Sequence, residues 1–185
     1  MRSFIGFSIP AETRRILLEI MQNLNTDHPN KMRWSPSENL HLTLCFLGNI
    51  NEIQQAQLDH DLRLKGDIPP LPLLKIISMG AFPSHETGPF YVAKLEHCAA
   101  LTMLYEVVAS KLSALSLNTN THAYRPHITL ARPDKRWPDD GANRLPTLPA
   151  DLYFNAGPLT LFHSHQTKSG TTYIPVTTYP SAVSF

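Results

Sequence analysis

The sequence predicts an α+β fold in which residues 1–185 form one domain of two pseudo-symmetric lobes. Three observations carry this. The order strand, helix, strand occurs twice. The closing strand carries the same H-x-T-L signature each time, at His41–Leu44 and His127–Leu130. The spacing also repeats: Phe4 precedes His41 by 37 positions, and Tyr91 precedes His127 by 36. Duplicated units of this size commonly pack about a pseudo-twofold axis with a cleft between them.

Residues 3–9 (SFIGFSI) read as a strand stopped by Pro10. From Ala11 to Leu24, apolar residues at Ile16, Leu17, Ile20, Met21 and Leu24 trace one face of an amphipathic helix. The turn-rich Ser35-Pro36-Ser37-Glu38-Asn39 leads into the strand LHLTLCFLG, ended by Gly48. A second helix is predicted from Asn51 to Leu64, then a strand LLKIISMGAF, a turn from Pro83 to Pro89, and a strand FYVAKL. Leu101, Leu104, Tyr105, Val108, Leu112 and Leu115 mark a helix over 99–115, followed by a polar turn and the strand HITLA. Residues 133–150, rich in Pro and Asp, read as a surface loop. The strands PLTLFHSH and TYIPVTTY close the chain around a Lys168-Ser169-Gly170 turn.

Composition sets the class. Of 185 residues 42% are hydrophobic and 17% charged, which describes a soluble globular protein with a real core. A net charge of +1 excludes a broadly basic nucleic-acid coat but allows a small basic patch at one phosphate. Cys45 and Cys98 have no zinc-type or C-x-x-C spacing, and no apolar run approaches a membrane span. A cytoplasmic, monomeric protein in a reducing compartment is expected, with no membrane partner.

With nine histidines, H-x-T alone would be unremarkable. The full match, twice, in matching strand contexts, is what carries weight. On a strand, positions i and i+2 face one way. His41 and Thr43 therefore face together while Leu42 and Leu44 enter the core, and His127 and Thr129 do likewise against Ile128 and Leu130. Strands set side by side bring two imidazoles and two hydroxyls to one cleft. A phosphodiester needs such a set: one neutral imidazole takes a proton from water, the other, as imidazolium, protonates the leaving ribose oxygen. The hydroxyls donate to the non-bridging phosphate oxygens. No metal or other cofactor is required.

NLHLTLCFLG and RPHITLAR resemble the paired signatures of the two-histidine (2H) phosphoesterases, specifically the LigT-like RNA 2',3'-cyclic phosphodiesterases once called 2'-5' RNA ligases. FIGFSIPAE and the pair PLTLFHSH and TYIPV resemble that family's opening and closing segments, so the resemblance runs almost end to end. It implies a bilobal fold of two antiparallel sheets with flanking helices and a central cleft. It further implies His41 as proton donor, His127 as proton acceptor, and Thr43 and Thr129 beside them. The substrate class would be RNA 3' ends bearing a 2',3'-cyclic phosphate, tRNA fragments among them, opened to a 2'-phosphate. Reversible 2'-5' joining is a further family activity.

Arg132, which matches the family's arginine after the second motif, is a phosphate-binding candidate; its bland alternative is a solvated arginine at a strand end. Arg33, Trp34 and Arg125 lie just upstream of the motifs as further substrate-binding candidates, with Trp34 able to stack a base or to pack. Cys45 shares parity with His41, which would bring it towards the cleft, although no base is offered to it and a buried, inert thiol is the simpler reading. His163 and His165 stand where the family carries small residues, and either alter substrate reach, lie exposed, or form half of a metal site lacking a third ligand. Two other functions remain open at this point: a phosphodiesterase for small cyclic nucleotides, and a non-catalytic RNA-binding module.

Overall fold

The computed structural model describes residues 1–27, 29–64, 68–83, 88–117, 123–133, 148–168 and 170–181, Leu64 without its side chain. Most of the predicted 133–150 loop, parts of the Pro83–Pro89 turn and of the polar turn after 117, and Ser169 lie outside the described residues.

The elements in chain order are β1 (Arg2–Ser8), α1 (Ala11–Asp27), β2 (Met32–Trp34), a 3-10 turn (Ser37–Asn39), β3 (His41–Asn49), α2 (Glu52–Leu64), β4 (Leu73–Phe82), β5 (Phe90–Leu95), α3 (Ala99–Ala114), β6 (His127–Pro133), β7 (Tyr153–Asn155), β8 (Leu159–Thr167) and β9 (Gly170–Tyr179). The predicted α+β class holds. Two strands of three residues each, β2 and β7, are additions to the predicted set. They are too short to show an alternating pattern, and exist only because β6 and β4 offer them an edge.

All pairings are antiparallel, in the order β7-β4-β5-β6-β3-β1-β8-β9, with β2 paired to β6 off that path. Outward from the centre, β3 is followed by β1 and β8, and β6 by β5 and β4. At the centre β3 and β6 meet through the pair Leu42↔Ile128. These two side chains, with Leu44 and Leu130, are at most 1% exposed and join one core. The buried stripes of α1 (Leu17, Ile20, Met21, Leu24) and α3 (Leu101, Leu104, Val108, Leu112) belong to the same core, so the helices cover one face of the sheet. Each fully buried Leu contributes on the order of 1.5–3 kcal/mol over exposure. Asn51 and Gln54 start α2 with a reciprocal capping box, each side chain accepting the other's backbone N–H at 2.9–3.0 Å.

Both central strands carry the same irregularity. Along β3 the partner in β1 steps from Gly6↔Thr43 to Ile5↔Cys45, and along β6 the partner in β5 steps from Val92↔Thr129 to Tyr91↔Ala131. One residue, Leu44 or Leu130, is extra in each strand, which is a β-bulge, and side-chain parity inverts beyond it. Cys45 is accordingly 0% exposed in the core, not at the cleft as simple alternation predicts. The matched bulges also align Phe90, rather than Tyr91, with Phe4, so the spacing to the motif histidine is 37 in both halves.

Glycine is required at position 6, where β1 runs tight against β3. A Cβ there would lie 2.3 Å from the Leu42 carbonyl oxygen, so even alanine would force the strands apart beside His41. Gly48, with φ of 69°, adopts the left-handed conformation near the end of β3.

Candidate active site

Antiparallel register about the Leu42↔Ile128 pair sets His41 across from Thr129, and Thr43 across from His127. The four polar side chains share the face opposite the helices. The two histidines stand on a diagonal, where ladder geometry gives a Cβ separation of about 7–8 Å.

Each imidazole is held the same way. His41 donates from Nδ1 to the Asn39 carbonyl at 2.6 Å, and His127 donates from Nδ1 to the Arg125 carbonyl at 2.7 Å. A carbonyl can only accept, so in the neutral ring Nδ1 carries the hydrogen and Nε2 is left as the reactive lone pair. In His41 that Nε2 lies 3.1 Å from the Thr43 hydroxyl, which donates to it when the ring is neutral. Thr43 is itself fixed through its backbone, since its carbonyl accepts from the Tyr124 hydroxyl at 3.2 Å.

Aromatic rings hold the planes. Phe4 of β1 stacks on His41 at 4.6 Å between centroids, and Phe82 of β4 stacks on His127 at 4.1 Å. Tyr173 of β9 meets the His41 ring edge-on at 4.7 Å, which gives His41 a second aromatic wall. Asn39 brings that strand in. Its side chain is buried, donating to the Thr171 carbonyl at 2.6 Å and accepting the Tyr173 backbone N–H at 3.2 Å. One residue thus anchors His41 through its carbonyl and the wall over His41 through its amide. None of these supports is legible in the sequence, because the anchors are backbone atoms and the rings come from strands distant along the chain.

Comparison with known proteins finds similar sequences and similar structures. Residues 7–91, which include the first motif, match the family model described as LigT like Phosphoesterase. The RNA 2',3'-cyclic phosphodiesterase of Thermotoga maritima is 28% identical over 141 residues, spanning 75% of this chain and 73% of the relative. The enzyme of the same name from Aquifex aeolicus is 28% identical over 139 residues, spanning 71% and 70%. Among solved structures, TT0787 of Thermus thermophilus superposes with a TM-score of 0.80 at 23% identity over 97% of each chain. E. coli LigT complexed with 3'-AMP does so at 0.76 and 22% identity over 98% of each. The chain is similar to the LigT-like phosphoesterases.

The two imidazoles differ in environment. His41, walled on two sides, has its pKa pushed down to about 4, by burial first and by the nearby His127 in smaller part, against the Asn39 hydrogen bond that raises it. His127 is lowered by burial, with the Arg125 carbonyl opposing. Both rings are neutral in the empty cleft at pH 7. An anion placed between them would favour the charged form of either ring.

The depressed His41 pKa has a consequence for stability. Above about pH 6.5 the ring is neutral whether the chain is folded or unfolded. As pH falls from 6.5 towards 4, only the unfolded chain takes up the proton, so stability is lost over that window. The loss reaches about 3 kcal/mol. Urea unfolding at about pH 7.5 and pH 4.5 is expected to show a steeper acid loss for the native chain than for His41→Phe; equal losses would refute the assignment.

The substrate-binding candidates separate. Arg132, beyond the bulge, returns to the histidine face, exposed, with its guanidinium 4.8 Å from the centre of the Phe90 ring. Arg33 is also exposed and lies directly opposite it. Arg125, exposed, donates from a guanidinium nitrogen to the Pro83 carbonyl at 3.1 Å. Trp34 takes the packing alternative: it rests against the core and donates from Nε1 to Asn25 of α1 at 3.0 Å, on the helix side and away from the motif histidines.

His163 and His165 are also placed by register. Phe162 and Ser164 share the face of Phe4 and Tyr173, so His163 and His165 point to the other side. The ring nitrogens of His163 lie 2.9 Å from the Ser3 hydroxyl and 3.2 Å from Gln55 Oε1, while His165 is exposed. Cys45 is inert, its thiol pushed up to about 12 by burial. Among the described residues, no helix is long and apolar enough to cross a membrane.

Proposed function

We propose that this chain hydrolyses the 2',3'-cyclic phosphate at RNA 3' ends to a 2'-phosphomonoester, without metal, by paired action of His41 and His127. The observation that carries the reading is the matched anchoring of both Nδ1 atoms, which leaves two Nε2 atoms on one face of the sheet. His127 Nε2 takes a proton from water as its oxygen attacks phosphorus. The P–O3' bond breaks, and His41, charged once the anion is bound, delivers its Nε2 proton to the departing 3' oxygen. Thr43 and Thr129 donate to the non-bridging oxygens as charge grows on them. The donor and acceptor roles follow the family resemblance. The desolvation of half-buried His41 bears on them, because it withholds the proton until the substrate's charge is present.

The names of the two relatives support RNA ends as the substrate class. The same reading treats residues 1–185 as one duplicated domain, monomeric and cytoplasmic. With the 5' hydroxyl of a second RNA in place of water, the same step forms a P–O5' bond as P–O3' breaks and leaves a 2'-5' phosphodiester, which covers reversible ligation, with hydrolysis the favoured direction in water.

The test is a short RNA ending in a 2',3'-cyclic phosphate, incubated with the protein in excess chelator. A product carrying only a 2'-phosphate is expected. Turnover that disappears with chelator and returns with added metal would sink the mechanism, and a 3'-phosphate product would reverse the leaving group.

A further inference from the structure

Arg33 and Arg132 form a registered cross-strand pair, both exposed. Directly opposed like charges on neighbouring strands sit about 5 Å apart at the backbone and destabilise a sheet. Among the described residues, neither guanidinium has a carboxylate within ion-pair distance. An arrangement that costs stability in the free protein becomes favourable when an anion lies between the two cations.

The face is fixed by its neighbours. Met32 is buried, and Trp34 packs towards α1, so alternation along β2 turns Arg33 to the histidine side. Arg132 lies over Phe90, Phe90 is the registered partner of Phe82, and Phe82 stacks on His127. The arginine pair therefore lies on the floor of the same cleft, displaced along β6 beyond Thr129 by about 7–10 Å. That backbone displacement suits the next phosphate of one bound chain.

We propose that Arg33 and Arg132 together form a second phosphate subsite, which takes the phosphate on the 5' oxygen of the nucleotide whose 2',3'-cyclic phosphate lies between the histidines. The proposal rests on the reading that the histidine site opens cyclic phosphates, and it makes the preferred substrate an oligonucleotide end or a 5'-phosphorylated nucleotide. Two planar forks facing one phosphate suit bidentate contact, which a lysine reproduces only in part.

Calorimetric binding of two product-like probes, adenosine 2'-phosphate and adenosine 2',5'-bisphosphate, isolates the subsite without needing turnover. The native protein is expected to bind the bisphosphate at least tenfold more tightly. In Arg33→Ala the ratio should fall towards one, with Arg33→Lys intermediate; the thermal midpoint of Arg33→Ala should not fall, since Arg33 is exposed and its removal relieves the opposed charges. A native ratio near one would overturn the proposal. So would an Arg33→Ala variant that weakens both probes equally, because the arginine would then serve the catalytic phosphate. Turnover of adenosine 2',3'-cyclic phosphate, followed in parallel, separates the two readings. If it is opened but the binding ratio is one, only the subsite fails. If no cyclic phosphate is opened, the catalytic reading fails while the binding ratio still decides the subsite.

Discussion

Replacing His41 or His127 with alanine is expected to lower turnover of a cyclic-phosphate RNA end by about 10²–10⁴-fold, the range contributed by a positioned general acid or base. The double variant should lie close to the weaker single one. The two rings act in one proton-transfer sequence, and removing either leaves the other without its complement. Initial rates in chelator with a fluorescent RNA check both statements. His41→Gln should accompany the alanine variant, because truncation would open a cavity between Phe4 and Tyr173 and confound chemistry with packing. Variants that fold, bind adenosine 2'-phosphate and still turn over at near-native rates would refute the two-histidine mechanism. Additive losses in the double variant would mean independent roles.

Asn39→Ala is expected to have the second largest effect, although Asn39 touches no substrate. It removes both partners of a buried amide and leaves the Thr171 carbonyl and Tyr173 N–H unpaired. Each such group costs about 1–3 kcal/mol. A total loss of about 2–4 kcal/mol is therefore expected in urea unfolding. Activity should also fall about 10–100-fold, because the wall over His41 and the carbonyl holding its Nδ1 move together. Asn39→Asp separates these effects. It can still accept the Tyr173 N–H but places a carboxylate against the Thr171 carbonyl, so stability should fall even where the turn is kept. The pH profile gives the decisive reading. A Tyr173 wall that loosens admits water to His41, and the limb of kcat/KM that reports His41 should move up in pH. A purely structural Asn39 would lower stability with an unmoved profile.

The role of Asn39 shows where sequence reading reaches its limit. N-L-H is visible as a motif, yet the asparagine acts through an amide that meets β9 more than 130 positions away. Cys45 and Arg132 make the same point through parity. Counting by twos from the motif histidine sends Cys45 to the cleft and Arg132 to the core side. A single extra residue in each strand reverses both, and no sequence feature of HLTLCF or HITLAR announces it. The bulge arises from how β3 and β6 fit β1 and β5, a pairing decision made between strands.

By itself the sequence determined which residues are the candidates for the chemistry and the order of the elements around them. The histidines and threonines are specified by a repeated pattern of period two, and the helices by apolar residues at helical spacing. Both are local properties, read from neighbours a few positions apart. Tertiary structure alone decided which nitrogen of each imidazole faces the cleft, how far each is desolvated, and that Arg33 stands opposite Arg132 while Trp34 turns away. Those outcomes depend on backbone carbonyls, ring stacking and cross-strand register, which exist only once distant strands have met.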